Sequence, residues 1–432
     1  MRSGTLAVLL FSACAAYAAE ESPFEIHAQA TYLQQVKPSF GAAYSGPNSL
    51  RRERERSYTF TGTVYFGFRL AEATELYFNP EFVQGVPLSG LHGIGGFTNG
   101  EVQRGVTSTL KGYRARLFLR HSWNLGGEFE QQQSEQNQLR TRYAAERVVL
   151  TAGNISVLDV FDALDYSRDA RTQFMNWASL TYGAWDFPAD ARGYTWGAAA
   201  EYITPGWQAR AGRFLVPVES NGLRLDRHFG RRYGDVAEFE LPYTLAGLPA
   251  VARALAFRNR VDAGRFDDAI AIGAATAVAP DLSLVRRPQS KRGIGLSTQV
   301  EVTGQIGAYA RAGWSDGRTE TFMFTEIDRS LSTGVLAKGG GWGRPADSLG
   351  VAAHFNGLSR AHRDYLAAGG QGFFLGDGRL RYGAERISEV FYSLGVAKGA
   401  SLSLGYQRVS NPGYNRDRGP ADFLSLRFHA EI

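Results

Sequence analysis

Glu75-Leu-Tyr-Phe-Asn-Pro-Glu-Phe-Val83 and Tyr113-Arg-Ala-Arg-Leu-Phe-Leu-Arg120 flank a glycine-rich excursion, and their reading decides the fold. In the first, Leu76, Phe78 and Phe82 share one parity while Tyr77, Asn79 and Glu81 share the other. In the second, Leu117 and Leu119 oppose Arg114, Arg116 and Arg120. Successive strand side chains point to opposite faces, so each segment carries one greasy and one charged face. The pair reads as two neighbouring walls of a pore, with the loop between them folded inward to narrow it. A sandwich could hold such strands as well, so the rest of the chain has to choose.

The chain has 432 residues, 44% hydrophobic and 12% aromatic, enough for a large core. Charged residues interrupt almost every window, and no run approaches the roughly 18 apolar residues of a spanning helix. At the N-terminus Arg2 precedes an apolar stretch, Leu6 to Ala16, and the small-x-small triplet Ala16-Tyr17-Ala18. This is a secretory-signal pattern, so residues 1–18 are expected to be a signal peptide and 19–432 the mature protein. An alternative makes Cys14, in Phe11-Ser-Ala-Cys14, a lipid-modified residue; the very short hydrophobic region this implies and the triplet that follows argue against it. Cys14 is the sole cysteine, so the mature chain would have no disulfide, thiolate metal site or cysteine nucleophile.

The formal net charge is +5, and lysine occurs only at 37, 111, 291, 338 and 398, leaving arginine as the dominant cation. The charges alternate with acids along the whole chain instead of clustering, which argues against nucleic-acid binding. Arginine's planar set of donors suits polar recognition in a confined channel better than lysine's mobile point charge.

From residue 24 onward short alternating segments recur to the C-terminus, the weak dyad signal of transmembrane strands of about ten residues. Tyr58, Phe60, Val64, Phe66 and Phe68, for example, oppose Thr59, Thr61, Thr63 and Tyr65. Sixteen such segments are found, the later ones near 141–153, 192–203, 206–216, 234–243, 252–262, 292–303, 305–316, 322–338, 347–357, 382–396, 400–410 and 421–432. Very short connections at 71–73, 204–206, 303–305 and 398–400 each follow an even-numbered strand, whereas their neighbours at 38–56, 84–111, 155–191, 217–233, 263–291 and 358–381 are long. Outer-membrane barrels sort their loops in this way and soluble sandwiches do not. The polar insertion 128–140 departs from the rule and reads as a solvated turn on the short-turn side; short helices are expected around 267–279 and 359–368.

One parity carries Tyr194, Trp196, Tyr202 and Trp314 near strand ends, where an amphipathic ring favours the membrane interface. The other is assigned Arg258, Arg260 and Asp262, Gln299 and Glu301, Tyr309 and Arg311, Glu385 and Glu389, and Arg427, His429 and Glu431. A dry core would bury these charges at several kcal/mol each, whereas a wet lumen solvates them. The expected fold is therefore all-β, a 16-stranded antiparallel transmembrane β-barrel with long extracellular loops folded into the lumen, since that many strands leave an aqueous channel.

Asn79-Pro-Glu-Phe-Val-Gln-Gly85, Gly96-Phe-Thr-Asn-Gly-Glu-Val-Gln-Arg104, Asp159-Val-Phe-Asp162 with Gln173-Phe-Met-Asn-Trp177, Trp342-Gly-Arg-Pro-Ala-Asp347, Gly376-Asp-Gly378 and Asn411-Pro-Gly-Tyr-Asn-Arg-Asp-Arg-Gly-Pro420 resemble the carbohydrate-selective porins of the OprB type. The resemblance covers nearly the whole mature chain. It departs at Ile432, where such barrels commonly end in phenylalanine. What it implies is passive diffusion of monosaccharides, glucose among them, across the outer membrane, with the second and third long loops, here 84–111 and 155–191, forming the narrow point. Carried over by position, Arg114 and Arg116 are the facing arginines, with Glu81 beside them and Glu101, Arg104, Asn176 and Trp177 supplied by the loops. Guanidinium donors and carboxylate acceptors together can replace part of a sugar's hydration shell, and an indole can pack on a pyranose. The competing role for each charged residue is a lumen salt bridge that holds a loop in place.

The seven histidines, at 27, 92, 121, 228, 354, 362 and 429, have no metal-ligand spacing and none sits in a nucleophile motif. No catalytic residue, metal or cofactor is expected. Sugars and outer-membrane lipid are the expected partners, nucleic acid is not, and oligomeric state stays open. A general or organic-anion porin with little sugar preference is the alternative, and a plugged scaffold barrel is a third possibility.

Overall fold

The alternating segments fold as sixteen strands in a computed structural model that describes residues 22–102, 106–324 and 326–432. The expected signal peptide, residues 1–18, and Arg104 lie outside the described residues. The strands are β1 Phe24–Lys37, β2 Glu55–Ala71, β3 Thr74–Val86, β4 Lys111–Gln132, β5 Thr141–Ile155, β6 Thr195–Ile203, β7 Gln208–Phe214 and β8 Tyr233–Leu245 in the first half. The second half adds β9 Leu248–Ala263, β10 Arg287–Thr303, β11 Ile306–Ser315, β12 Arg329–Lys338, β13 Ser348–Gly357, β14 Glu385–Ala397, β15 Ala400–Ser410 and β16 Ala421–Glu431. Every strand pairs antiparallel with its sequence neighbour, and β1 pairs with β16, Tyr32 opposite Phe428, so the sheet closes into a barrel without edges. Among the described residues three α-helices lie in loops: α1 Trp177–Leu180, α2 Phe266–Thr276 and α3 Arg360–Ala367, the last two where helices were expected.

The tight turns carry the residues their geometry needs. Between β8 and β9, Ala246 and Gly247 both take positive φ, 50° and 84°, the two-residue form whose twist matches the flanking strands. No helix among the described residues is long and apolar enough to cross a membrane, and the crossing elements are strands.

The outer face is apolar, with Phe78, Phe82, Leu119, Leu331, Val335, Phe355, Leu404, Leu424 and Leu426 all exposed. Inside, the connection 156–194 brings its own core against the wall. Phe161, Trp177, Tyr182, Trp185 and Phe187 cluster with Tyr77 and Phe118 on one side and Val236, Leu255 and Phe257 on the other.

That inner core corrects two expectations. In β9, Arg253, Leu255, Phe257, Asn259 and Val261 are buried, so Arg258, Arg260 and Asp262 lie on the outward parity. The apolar side chains point in because a folded loop, not water, meets that part of the wall. Tyr194 does not join an interface belt: it precedes β6, is buried and bonds to Glu81. A third difference is that β12 begins at Arg329, because 322–328 belongs to the preceding loop.

The polar insertion is also placed differently. Residues up to Gln132 extend β4 and stay largely exposed, as a solvated segment would, and 133–140 fold back under the barrel mouth with Leu139 alone of that turn buried. Leu139 is 1% exposed and donates its amide to the Tyr77 hydroxyl at 3.1 Å, while Arg120 reaches the Asn137 carbonyl at 3.0 Å.

Candidate functional site

The opening stretch contains a β-bulge. Asn79 is opposite Arg116, but Pro80 is opposite Arg114, so Ala115 is an extra residue in β4. Proline has no N–H for the ladder, which lets the neighbouring strand bulge there. The Ala115 carbonyl is taken up by Asn154 Nδ2 at 2.6 Å. A bulge inverts side-chain parity across it. Arg116, Phe118 and Arg120 therefore face the lumen with Asn79, Tyr77 and Glu75, whereas Arg114 faces outward with Pro80 and lies 5.3 Å from the exposed Trp196 ring. The expectation that Arg114 and Arg116 share a face does not hold, because strict alternation has no place for Ala115.

Arg116 meets a carboxylate that the loop positions. Ser156 and Asp159 form a capping box over the turn Val157–Asp159, with the Ser156 amide donating to Asp159 at 3.0 Å. The oriented Asp159 accepts Arg116 Nε and Nη2, both at 2.7 Å, a bidentate pair that the planar guanidinium favours. The Tyr194 ring lies 5.2 Å from the same guanidinium.

Glu81 and Glu101 are joined by a residue that sequence reasoning missed. Arg171, in loop 156–194, donates Nη2 to Glu81 at 3.2 Å and Nε to Glu101 at 2.7 Å. Glu81 is fully buried and also accepts from Thr63 at 2.8 Å, from Tyr194 at 3.2 Å and from Tyr113. Glu101 accepts from Thr61 at 2.7 Å. One guanidinium thus ties both long loops to the wall of β2 and β3. Nothing in Asp169-Ala-Arg171-Thr172 has a periodicity to mark it. Asp159 was legible in principle, since Ser156-Val-Leu-Asp159 is a capping-box spacing.

Asn176 and Trp177 sit deeper than direct sugar contact would need. Asn176 is fully buried, caps α1 by accepting from the Ala178 amide at 2.9 Å, and donates to the Gly96 carbonyl at 3.2 Å and to Gln407 at 2.9 Å. A Cβ on Gly96 would meet the Ile387 terminal methyl at 2.6 Å and the Asn176 side-chain oxygen at 3.0 Å, so a larger residue there would push both side chains aside. Trp177 stacks on Phe324 with centroids 4.8 Å apart and on Phe187 at 6.0 Å.

Several wall charges are loop anchors. Glu389 accepts the Met175 and Asn176 amides at 2.6 and 3.1 Å; Glu385 accepts those of Gly95 and Gly96 at 3.0 and 2.8 Å. Arg311 donates to the Ser179 and Ser167 carbonyls at 2.8 and 2.9 Å, and Arg427 to those of Ala170 and Gln173 at 2.6 and 2.8 Å. Backbone dipoles here do much of the solvation that lumen water would otherwise supply.

Two of the cavities meet at Arg116. One of 1760 Å³ opens toward the short turns and is lined by Glu101, Arg116, Arg120, Asp159, Arg171 and the 133–140 turn, among others. One of 140 Å³ lies on the long-loop side against Trp177, Phe97, Phe324 and Arg192. Arg116, Ser156, Leu158, Leu180 and Tyr194 line both, so the two meet there. Among the described residues no three His, Cys, Asp or Glu side chains are grouped as metal ligands would be.

A closed sixteen-strand antiparallel barrel, apolar outside and polar within, with its loops bonded to its inner wall, is a channel protein of the outer membrane. The family model of the carbohydrate-selective porin, OprB family, matches residues 48–431, and this chain belongs to that family. The high-pH structure of Pseudomonas putida OprB aligns over 95% of this chain and 94% of that one with a TM-score of 0.69 at 16% identity, a likeness of fold. The low-pH structure of the same protein gives 0.49 at 11% identity over 95% and 93%, and Pseudomonas aeruginosa OccK2 (OpdF) gives 0.46 at 11% identity over 95% and 97%. No curated protein matches this chain.

Proposed function

We propose that the lumen passes monosaccharides such as glucose by passive diffusion, with a constriction at Arg116, Tyr194, Leu158 and Leu180 between the two cavities. The observation that carries this reading is the pairing of charge at the narrow point. Arg116 is held bidentate by Asp159, and Arg171 is shared by Glu81 and Glu101. Such pairs leave little net field to draw in an anion, yet they present donors and acceptors side by side, which suits a neutral polyol. Membership of a carbohydrate-selective family supports the same choice over a general or organic-anion porin. The pairs exchange water for sugar hydroxyls without bond chemistry, which supports a channel role and not catalysis.

Arg116 is the contact residue in this reading, and Glu81 and Glu101 act through Arg171, which they position. Asn176 shapes the constriction by holding α1 and the Gly96 strap, and Trp177 offers an apolar edge to the smaller cavity. Arg114 is left out of the contact set because it faces the other way.

Swelling of liposomes in sugars of graded size tests the assignment. Arg116→Ala is expected to admit larger sugars and to blunt discrimination between them, while Arg114→Ala leaves both unchanged. Identical size profiles for wild type and Arg116→Ala would sink the site, and absence of steady single-channel current would sink the channel reading itself.

A further inference from the structure

The outward face of β7 to β10 carries a row of arginines at its long-loop end. The register runs Arg213, Asp235, Arg258, Arg292 straight across four strands. Arg260 follows on the same face of β9, and Arg232 stands beside it, bonded to Asp262 at 2.5 Å. Asp235 is consumed by Arg213 in a bidentate pair at 2.6 and 2.9 Å. Asp316 accepts the backbone amide of Arg292 at 3.2 Å. Arg258, Arg260 and Arg292 have no carboxylate partner within ion-pair distance among the described residues. Like charges directly opposite on adjacent strands repel, so Arg258 facing Arg292 is an arrangement that calls for an anion from outside the chain.

One register step toward the short turns the wall changes character. Leu150, Ala200, Ala211, Ala237, Ala256 and Ile294 are opposite one another in turn, so four adjacent alanines are framed by two large exposed side chains. The low floor forms a groove of 610 Å³ on the membrane-facing surface, with Arg213 and Arg258 at its upper lip. From Asp235 down to Tyr243 is eight residues, or roughly 20 Å of height for a strand tilted by about 40°. The arginine row therefore stands at the outer edge of the apolar band, and the alanine groove runs down into it.

We propose that this face is a docking site for a phosphorylated, multiply acylated glycolipid of the outer leaflet, with its phosphates on Arg258, Arg260 and Arg292 and an acyl chain along the alanine groove. Charge complementarity selects this occupant. A second copy of the barrel would bring the same arginines or an apolar wall against them, and neither neutralises the row. A guanidinium presents a fork that matches phosphate oxygens, which the predominance of arginine on this face provides. The site is outside the barrel, so it stands whether or not the lumen selects sugars.

The test uses the whole barrel in mild detergent. A fluorescent bis-phosphorylated lipid A-type glycolipid is titrated against wild type, Arg258→Gln with Arg292→Gln, and Ala237→Leu with Ala256→Leu. Each variant is first checked for wild-type single-channel conductance. The arginine variant is expected to bind at least roughly tenfold more weakly, the scale of one lost charge-assisted hydrogen bond, and the filled groove is expected to weaken binding as well. Because a variant can fail to fold, wild type is also competed with the dephosphorylated glycolipid, which is expected not to displace the probe. Equal binding by the arginine variant, displacement by the dephosphorylated competitor, or a wild-type oligomer that dissociates when the groove is filled would each overturn the proposal.

Discussion

Arg171 binds two carboxylates at once, and that makes it the side chain that ties both long loops to the wall. Glu81 has no solvent of its own, so removing Arg171 takes away a cation that its buried charge is paired with. Arg171→Ala is expected to cost about 3–5 kcal/mol, the range for breaking a buried pair from one side, seen as a lowered thermal unfolding midpoint in detergent. Arg171→Lys is expected to recover only part of the loss, because a point charge cannot hold Glu81 and Glu101 in a fixed fork; full recovery would mean that charge alone matters. A second residue-scale device lies in the long loops, where His362 of α3 is buried against Asp328 at 2.9 Å with Glu326 at 3.6 Å and the Phe266 ring stacked upon it. Burial pulls the imidazole toward its neutral form, but Asp328 and Glu326 outweigh it and hold the pKa up at about 9. Burial likewise opposes the Asp328 charge, and His362 and Lys291 bring it down to about 2. The histidine's contribution is complete below its ordinary 6.5 and is lost as pH rises through about 9; the aspartate's is complete above 3.8 and is lost as pH falls through about 2. Proteolytic nicking in 358–384 is therefore expected to rise between pH 7 and 10 in wild type and to be high and flat in His362→Gln.

At the scale of elements the bulge in β4 decides which arginine the lumen sees. With Ala115 extra, Arg116 turns inward and Arg114 outward; without it the two would share a face. Cysteine substitution reads this directly. Arg116→Cys is expected to change conductance when a hydrophilic thiol reagent enters the open channel, while Arg114→Cys reacts with no change in current. A conductance change at position 114 would mean that the parity is unbroken. The same reasoning covers β9, where Leu255 and Phe257 face inward because Trp185, Phe187 and their neighbours pack on them.

For the whole molecule, the 133–140 turn lies across the short-turn mouth, held by Leu139 beneath Tyr77 and by Ser134 within 2.8 Å of His27. It lines the larger cavity along with Arg120 and Arg171. Deleting Ser134 to Gln138 is expected to raise single-channel conductance while leaving the size limit for sugars unchanged, because the proposed constriction is further in, at Arg116. If sugar exclusion changed and conductance did not, the constriction would belong at the mouth.

Strand number, loop sorting, barrel closure and the two loop helices were legible in the chain, because period-two alternation and turn residues are local properties that need no knowledge of what lies across the fold. The inward parity of the wall residues Glu81 and Arg116 was legible for the same reason. What the sequence could not supply were the features set by contacts between distant segments. Ala115 becomes a bulge only because Pro80 on the neighbouring strand cannot donate and the Asn154 amide on the next can donate to its carbonyl. Arg258 and Arg260 face outward only because a loop core about seventy residues earlier takes the inner face. Arg171 becomes central only when two loops meet over β3. Alternation in one strand determines that it has two faces; which face is inner depends on what occupies the lumen, and only the tertiary structure decides that.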